Sequence, residues 1–412
     1  MNHNDSLRLA AVLESFGLQE SSLAESDLIV VNACSIRQSG IDRIWGMSRQ
    51  WLQQKKEKDL KIFLTGCVLE KDKKSFGKKF DLVFDIKDLP ILENYLRQNL
   101  PSENFYSFQP KKMNQAFAFV PIMTGCNNFC SYCVVPYTRG REQSRNVAEV
   151  LAEIKKLVAD GIKEVHLLGQ NVNSYSPSDA ENFSPENPYQ NNFARLLFEV
   201  NKIEGLQRIH FSSSHPKDMS DDLIQALSLS KMINYLHLAL QSGDDEILQK
   251  MNRKYATADF YQIVEKVRKV KPQIAIGTDI IVGFCEETEE QFQNTLKFYE
   301  KVDFDICFLA MFSQRTGTAA EKFADNVSLD EKKLRWRRLQ TLMEKTVLGK
   351  NKKYLNQQIE ILIDHEGADF WEGNSREMKR ARVLKIDFPN AKVGDLVVAQ
   401  VKRPEMWMLY CF

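Results

Sequence analysis

No apolar run in these 412 residues approaches the length of a membrane span, which excludes a helical anchor. The opening "MNHNDSLRLAAVLESFG" is polar with a helical pattern, unlike a secretory signal. The expected location is the cytoplasm, with no membrane partner. Charge of one sign is scarce as well. Lys and Arg number 56 against 55 Asp and Glu, a formal net charge of +1, so no global field draws in nucleic acid and any such contact must use a local patch. A third absence concerns cysteine. Three of the eight fall in "IMTGCNNFCSYCVVPYTRGRE", at Cys126, Cys130 and Cys133, spaced C-x3-C-x2-C, with no second C-x2-C pair to complete a zinc shell. A redox C-x-x-C would leave Cys126 surplus. In a reducing compartment, clustered cysteines are metal ligands more often than disulfides.

The chain reads as three blocks, divided here as 1–110, 111–347 and 348–412. The first alternates helical patterns with the β-branched runs "DLIVVNAC", "LKIFLTGC" and "FDLVFDI", an α/β reading in which two strands end in cysteine, Cys34 and Cys67. Ligands gather beyond the carboxyl ends of parallel strands, so both are candidate ligands; the bland alternative is a pair of small buried hydrophobes. In the second block the strands "AFVPIMTG", "EVHLLGQN", "RIHFSSS", "YLHLAL", "AIGTDIIVGF" and "DICFLAMF" alternate with helices. One helix carries Val147, Val150, Leu151, Ile154 and Val158 on one face and stops at Gly161. Six such units predict a parallel sheet curled into a partial (βα)6 barrel, two units short of a closed one. "SPSDAENFSPENPYQNN" reads as a loop insertion. The third block has short strands, "QIEILID", "ARVLKIDF", "DLVVAQV" and "EMWMLYCF", which fit a small β-barrel. Its stretch "REMKRARVLK" gathers Arg376, Lys379, Arg380, Arg382 and Lys385 just after Phe370 and Trp371. Such a run is either a solvated charged face or an RNA-binding one.

Three thiolates can hold three irons of a 4Fe–4S cluster and leave the fourth open to a small molecule. The loop follows the first strand of the partial barrel, which puts it on the catalytic face. That combination resembles the radical S-adenosylmethionine (SAM) superfamily, with Tyr132 at the aromatic position before the third cysteine. "VVNACSIR", "FLTGC", "GCNNFCSYCVVPYTRGREQSR", "LLGQNVNSY", "SSHPKDMSDDLI", "LQSGDDEILQKMNRKY" and "TDIIVGF", in this order, resemble the methylthiotransferase family, and within it the MiaB type. The match spans nearly the whole chain.

The resemblance implies two 4Fe–4S clusters, SAM, and addition of a methylthio group to C2 of N6-isopentenyl(dimethylallyl)adenosine-37 beside the anticodon of tRNA. It assigns Cys126, Cys130 and Cys133 to the radical SAM cluster, and Cys34 and Cys67 to an auxiliary one. The third block becomes a TRAM RNA-binding domain. A C–H bond of this kind offers no acid–base handle, hence radical chemistry. By superfamily analogy Gly169, Gln170, Asn171, Ser212, Ser214, Gln241 and Ser242 lie at strand ends near SAM, with Arg253 on its carboxylate. Each could equally be a polar residue satisfied locally. Arg139 and Arg141 are assigned to tRNA phosphates, while His215, Cys285, Cys307 and Cys411 read as structural. The implied partners are the tRNA anticodon stem-loop and a reduced flavodoxin- or ferredoxin-type electron donor, with the chain acting as a monomer.

Three departures stand out. "GFCEET" places Cys285 and Glu286 where relatives have Pro and Gly, and "FSQRTGT" replaces "YSPRPGT" at Phe312–Thr318. The family also opens with a strand ending in Gly-Cys-Gln ahead of "MN..DSERLA"; here the first residue is that methionine, so the expectation is an earlier start that supplies the third auxiliary cysteine. Without it the rival readings are a tRNA-binding homologue without catalysis, a radical generator without sulfur insertion, or a relative acting on another tRNA adenosine.

Overall fold

The computed structural model describes residues 2–35, 38–86, 88–96 and 116–412. The expected boundary at 110/111 lies outside them. The chain divides into two compact units, one of residues 1–113 with 132–141 and 313–322, the other of 114–131, 142–312 and 323–412.

In the first unit β1 (Leu28–Cys34), β2 (Lys61–Cys67) and β3 (Leu82–Val83) form a parallel sheet in that order. Alternation along β1 sends Ile29 and Ala33 to one face, against Ile41, Ile44 and Trp51 of helix Gln38–Glu57. Leu28 and Val30 face the other side with Phe63, against Leu9 and Val12 of helix Asn2–Ser15. The register pairs Cys34 with Cys67, so both strand ends expected to carry thiols do so side by side.

In the second unit β4 (Phe117–Pro121) leads into β5 (Met123–Thr124), which pairs antiparallel with β6 (Gln143–Ser144). β7 (Glu164–Leu168), β8 (Arg208–Phe211), β9 (Tyr235–His237), β10 (Ala275–Val282) and β11 (Ile306–Met311) follow. Parallel pairing runs β4-β7-β8 and β9-β10-β11, and a parallel bridge between Ser214 and Leu238 joins the two triplets. This is the expected six-stranded parallel array. Helix Val147–Ala159 buries Val147, Val150 and Ile154 as its spacing predicts, and the left-handed Gly161 (φ 95°) ends it.

The small barrel is β12 (Gln358–Glu366), β13 (Phe370–Ser375), β14 (Arg380–Leu384), β15 (Leu396–Pro404) and β16 (Leu409–Cys411), closed in the order β12-β13-β14-β16-β15. β13 was not expected as a strand, because "FWEGNS" has the composition of a turn. Barrel closure overrides that composition. Gly373 is there because a Cβ would stand 2.0 Å from the Leu362 carbonyl oxygen, closer than any side chain allows. The expected domain boundary at 347/348 falls inside helix Leu329–Lys352. Arg208 of β8, 1% exposed, ties the parallel array to the small barrel through Glu360 (2.9 Å) and the Asn374 carbonyl (2.9 Å).

Candidate functional site

The cysteine loop follows β5 at the carboxyl end of the parallel strands. Gly125 (φ 80°) and Phe129 (φ 48°) both take left-handed backbone, which reverses the chain twice within five residues. The turns are held from outside. Gln170 Oε1 accepts from the Gly125 N–H (2.6 Å), and Ser131 donates through N–H and Oγ to the carbonyls of Met251 (3.0 Å) and Lys250 (2.8 Å). Asn252 Nδ2 donates to the Phe129 carbonyl (2.8 Å). One residue on, Arg253 sets Nη1 3.3 Å from Cys130 Sγ. Cys126, Cys130 and Cys133 are all half-buried. Burial pushes the Cys126 thiol up, against the Asn128 N–H, which favours its thiolate. Among the described residues no group of three His, Cys, Asp or Glu side chains is drawn together as a metal shell. The fit of this loop to a cluster rests on its donor set, three thiols on a braced and partly open backbone.

The other expected cofactor residues divide. Gln170 braces the loop, as above. Gly169 is where Met123 packs, and a Cβ there would stand 2.6 Å from the Met123 side chain. Asn171 is buried, donates to Asp218 (2.8 Å) and leaves Oδ1 unpaired, a polar atom still able to accept from a ligand. Ser212 is half-buried at the end of β8, and Gln241 is left-handed (φ 74°) and buried. Ser214 is turned away, its hydroxyl donating to the His237 carbonyl. Ser242 is fully buried, 3.4 Å from the Thr295 hydroxyl, and accepts from the Asp244 N–H (3.2 Å). Both serines satisfy local backbone. Arg253, expected on the SAM carboxylate, has its remaining nitrogens donating to Tyr255 Oη (2.9 Å) and the Ala239 carbonyl (2.9 Å), which fixes the guanidinium against Cys130. Tyr132 is half-buried. His215 is structural as expected: its Nδ1 accepts from the Lys217 N–H (3.2 Å), and burial holds its pKa down at about 2.

In the first unit the thiol pair at the ends of β1 and β2 has a charged lining that the sequence did not disclose. Arg139 donates from Nε to Cys67 Sγ (2.7 Å) and from Nη2 to Asp5 (2.7 Å). The side chain expected on tRNA phosphates is thus 4% exposed and paired with a carboxylate. Burial pushes the Cys67 thiol up to about 11, with Arg139 opposing. Beside them lies a cavity of about 510 Å³ lined by Gly66, Cys67, Asp85, Asp88, Thr138 and Arg139. Elsewhere in the same unit Thr65 Oγ1, Asn32 Oδ1 and Asp5 Oδ1 are buried without hydrogen-bond partners. Arg315 of the departing "FSQRTGT" segment donates to the Ser35 carbonyl (2.5 Å) and to Gln38. Two thiols fit an inorganic occupant, with Cys34 and Cys67 able to take two irons of a cluster. Arg141 is exposed.

The basic run of the small barrel is mostly neutralised within the fold. Lys379 is 8% exposed and 3.6 Å from Asp305, and Arg376 donates to the Ser230 (2.9 Å) and Met232 (3.1 Å) carbonyls. Arg380 forms a two-point pair with Asp364 (2.6 and 2.7 Å) and contacts Glu372. These three, expected as RNA contacts, are held in pairs and hydrogen bonds within the fold. Arg382 also meets Glu372 (2.6 Å), but its guanidinium lies over Phe370 (3.9 Å to the centroid) and beside Tyr410 (5.6 Å). Arg403, 60% exposed, covers the Tyr410 ring (4.0 Å). Arg403 and Tyr410 come from strands that the sequence reading did not connect to the basic run.

Residues 120–299 match the Radical SAM superfamily, and residues 1–85 match Uncharacterized protein family UPF0004. The chain is 37% identical over 432 residues to the tRNA-2-methylthio-N(6)-dimethylallyladenosine synthase of Clostridium botulinum strain Hall, covering 99% of this chain and 94% of the relative. It is 40% identical over 421 residues to the protein of the same name in Caldicellulosiruptor saccharolyticus, covering 95% and 88%. Among solved structures it resembles the radical SAM methyltransferase TsrM from Kitasatospora setae with cobalamin and a 4Fe–4S cluster bound, at TM-score 0.52 and 15% identity over 74% of this chain and 67% of that one, a likeness of fold.

Proposed function

The chain belongs to the radical SAM methylthiotransferase family whose members are named tRNA-2-methylthio-N(6)-dimethylallyladenosine synthase, and on that premise we propose that it adds a methylthio group to C2 of N6-isopentenyladenosine-37 in tRNA. The observation that carries the reading is the C-x3-C-x2-C loop at the carboxyl ends of six parallel strands, with Arg253 fixed against Cys130. Cys126, Cys130 and Cys133 would hold the radical SAM cluster. When bound, that cluster and SAM supply the electron and the 5′-deoxyadenosyl radical that opens an unreactive C–H bond. Arg253 stands against the Cys130 sulfur, Gln170 and Ser131 fix the loop, and Asn171 offers an unpaired oxygen.

A second 4Fe–4S cluster would sit on Cys34 and Cys67, with Arg139 stabilising the Cys67 sulfur. A reduced flavodoxin- or ferredoxin-type protein would deliver the electron. On the small barrel, Arg382, Tyr410 and Arg403 form an alternating cation–aromatic strip suited to phosphate and base contacts. The test is anaerobic 5′-deoxyadenosine formation with dithionite. The wild-type chain should produce it and Cys126→Ala should not; equal production by both would remove the loop from the chemistry.

A further inference from the structure

One face of the parallel array carries a file of polar and aromatic side chains that the cysteine loop does not use. The alternate residues Val165, Leu167, Ile209, Leu236, Ile276 and Ile280 belong to the apolar core. Their neighbours in sequence therefore share the opposite face. There Glu164 meets His166, whose Nδ1 is 3.3 Å from His210 Nδ1. The His210 ring stands edge-on to Tyr235 (5.7 Å), and Tyr235 Oη is 3.2 Å from His237 Nδ1. His237 Nε2 is 2.6 Å from Asp279 Oδ2. The file begins in full burial and ends in the open. The His237 side chain is 12% exposed and Asp279 38%, and Phe308, register partner of Asp279 on β11, is 49% exposed.

The chemistry of that open end is specific. Burial keeps the Tyr235 hydroxyl protonated, so it donates to His237 Nδ1. With Nδ1 taken by the tyrosine, Nε2 is the ring nitrogen that faces Asp279 Oδ2 (2.6 Å). Gly277 is what admits the tyrosine, since a Cβ there would stand 2.0 Å from Tyr235 Oη. Among the described residues no hydrogen bond falls on Asp279 Oδ1. The Phe308 ring is tilted 50° to His237 at 5.6 Å and leaves a face uncovered. An uncovered aromatic face beside an unpaired carboxylate oxygen suits a planar heterocycle bearing an N–H on its edge. It repels phosphate, so it takes a base and not a backbone.

We propose that Phe308 and Asp279 form the seat of the target nucleobase: the ring stacks on the base, Asp279 Oδ1 accepts the N–H of its exocyclic amine, and His237 is a positioning residue that holds the carboxylate. This rests on the tRNA reading above and adds the determinant of base choice. N6-Isopentenyladenosine keeps one N6–H and satisfies the carboxylate. An adenosine with two alkyl groups on N6 leaves it unpaired and is rejected.

The test uses the reconstituted full chain and anticodon stem-loop RNAs carrying N6-isopentenyladenosine, its N6-methylated analogue, or 2-aminopurine at position 37. Phe308→Leu keeps volume without a π-face, and Phe308→Tyr keeps the ring; iron content and thermal melting report folding for each. Phe308→Leu should weaken binding of the isopentenylated RNA about 10- to 100-fold and abolish the quenching of bound 2-aminopurine, and Phe308→Tyr should restore both. Asp279→Ala and, less completely, His237→Gln should lose the wild-type preference for the RNA that retains N6–H. Binding and quenching unchanged in Phe308→Leu, or preference unchanged in Asp279→Ala, would overturn the seat while wild-type modification leaves the tRNA reading standing. A wild-type chain that modifies none of these RNAs overturns both.

Discussion

Arg139 and Asp5, 134 positions apart in sequence, form an ion pair at 2.7 Å with side chains 4% and 1% exposed. The same guanidinium holds Cys67. Removing one partner strands a buried charge, which costs about 3–5 kcal/mol, while replacing both by apolar groups costs less. Asp5→Leu and Arg139→Met should therefore each destabilise the first unit more than the double variant does. Urea unfolding, followed by protease susceptibility of the β1–β3 region, reads this. Additive losses in the double variant would mean the pair is not coupled.

The small barrel's cations should separate into two classes. Arg382→Ala and Arg403→Ala should weaken tRNA binding and lower its salt dependence by about one counterion each. Arg380→Ala should instead lower the melting temperature, because it removes the guanidinium that pairs with both Asp364 and Glu372. Point variants serve better than truncation, since removing the barrel would strand the buried Arg208 without Glu360. If Arg380→Ala had the larger effect on RNA binding and none on melting, the cation–aromatic strip would not be the RNA face.

Burial holds His215 down at about 2 and His210 well below its ordinary value, both neutral in the folded chain. Unfolding lets each take a proton at its ordinary pKa of about 6.5, so the unfolded state binds more protons below that pH and stability falls as acid is added. The loss is negligible above about pH 7.5 and about 0.4 kcal/mol per histidine at pH 6.5. Between pH 6.5 and 5 His215 alone should cost about 2 kcal/mol. Urea unfolding at the two pH values should show the loss, and His215→Gln should shrink it. An unchanged pH slope in that variant would place the protonation elsewhere.

The candidate thiols and the parallel array were legible in the sequence because they are local. Three thiols in one loop, β-branched runs ending in Cys34 and Cys67, and helix Val147–Ala159 each announce themselves within a dozen residues. What surrounds them was not legible. Arg139 reads as a surface cation beside Gly140 and Arg141 until the fold sets Asp5 and Cys67 against it. "REMKRARVLK" reads as a basic patch until antiparallel pairing with β13 brings Glu372 opposite Arg382 and next to Arg380. Both pairings escaped the sequence for one reason: sequence shows charge, whereas pairing depends on contacts many positions apart. "FWEGNS" was lost as a strand for the same reason, since barrel closure sets its register.

The most direct measurement is mass spectrometry of nucleosides from isopentenylated tRNA incubated anaerobically with the reconstituted chain, SAM, sulfide and a reductant. The account predicts conversion of N6-isopentenyladenosine to its 2-methylthio derivative, dependent on Cys126, Cys130 and Cys133 and on Cys34 and Cys67. Formation of 5′-deoxyadenosine with no methylthio product, or a methylthio product that persists when Cys126 is replaced, would contradict it.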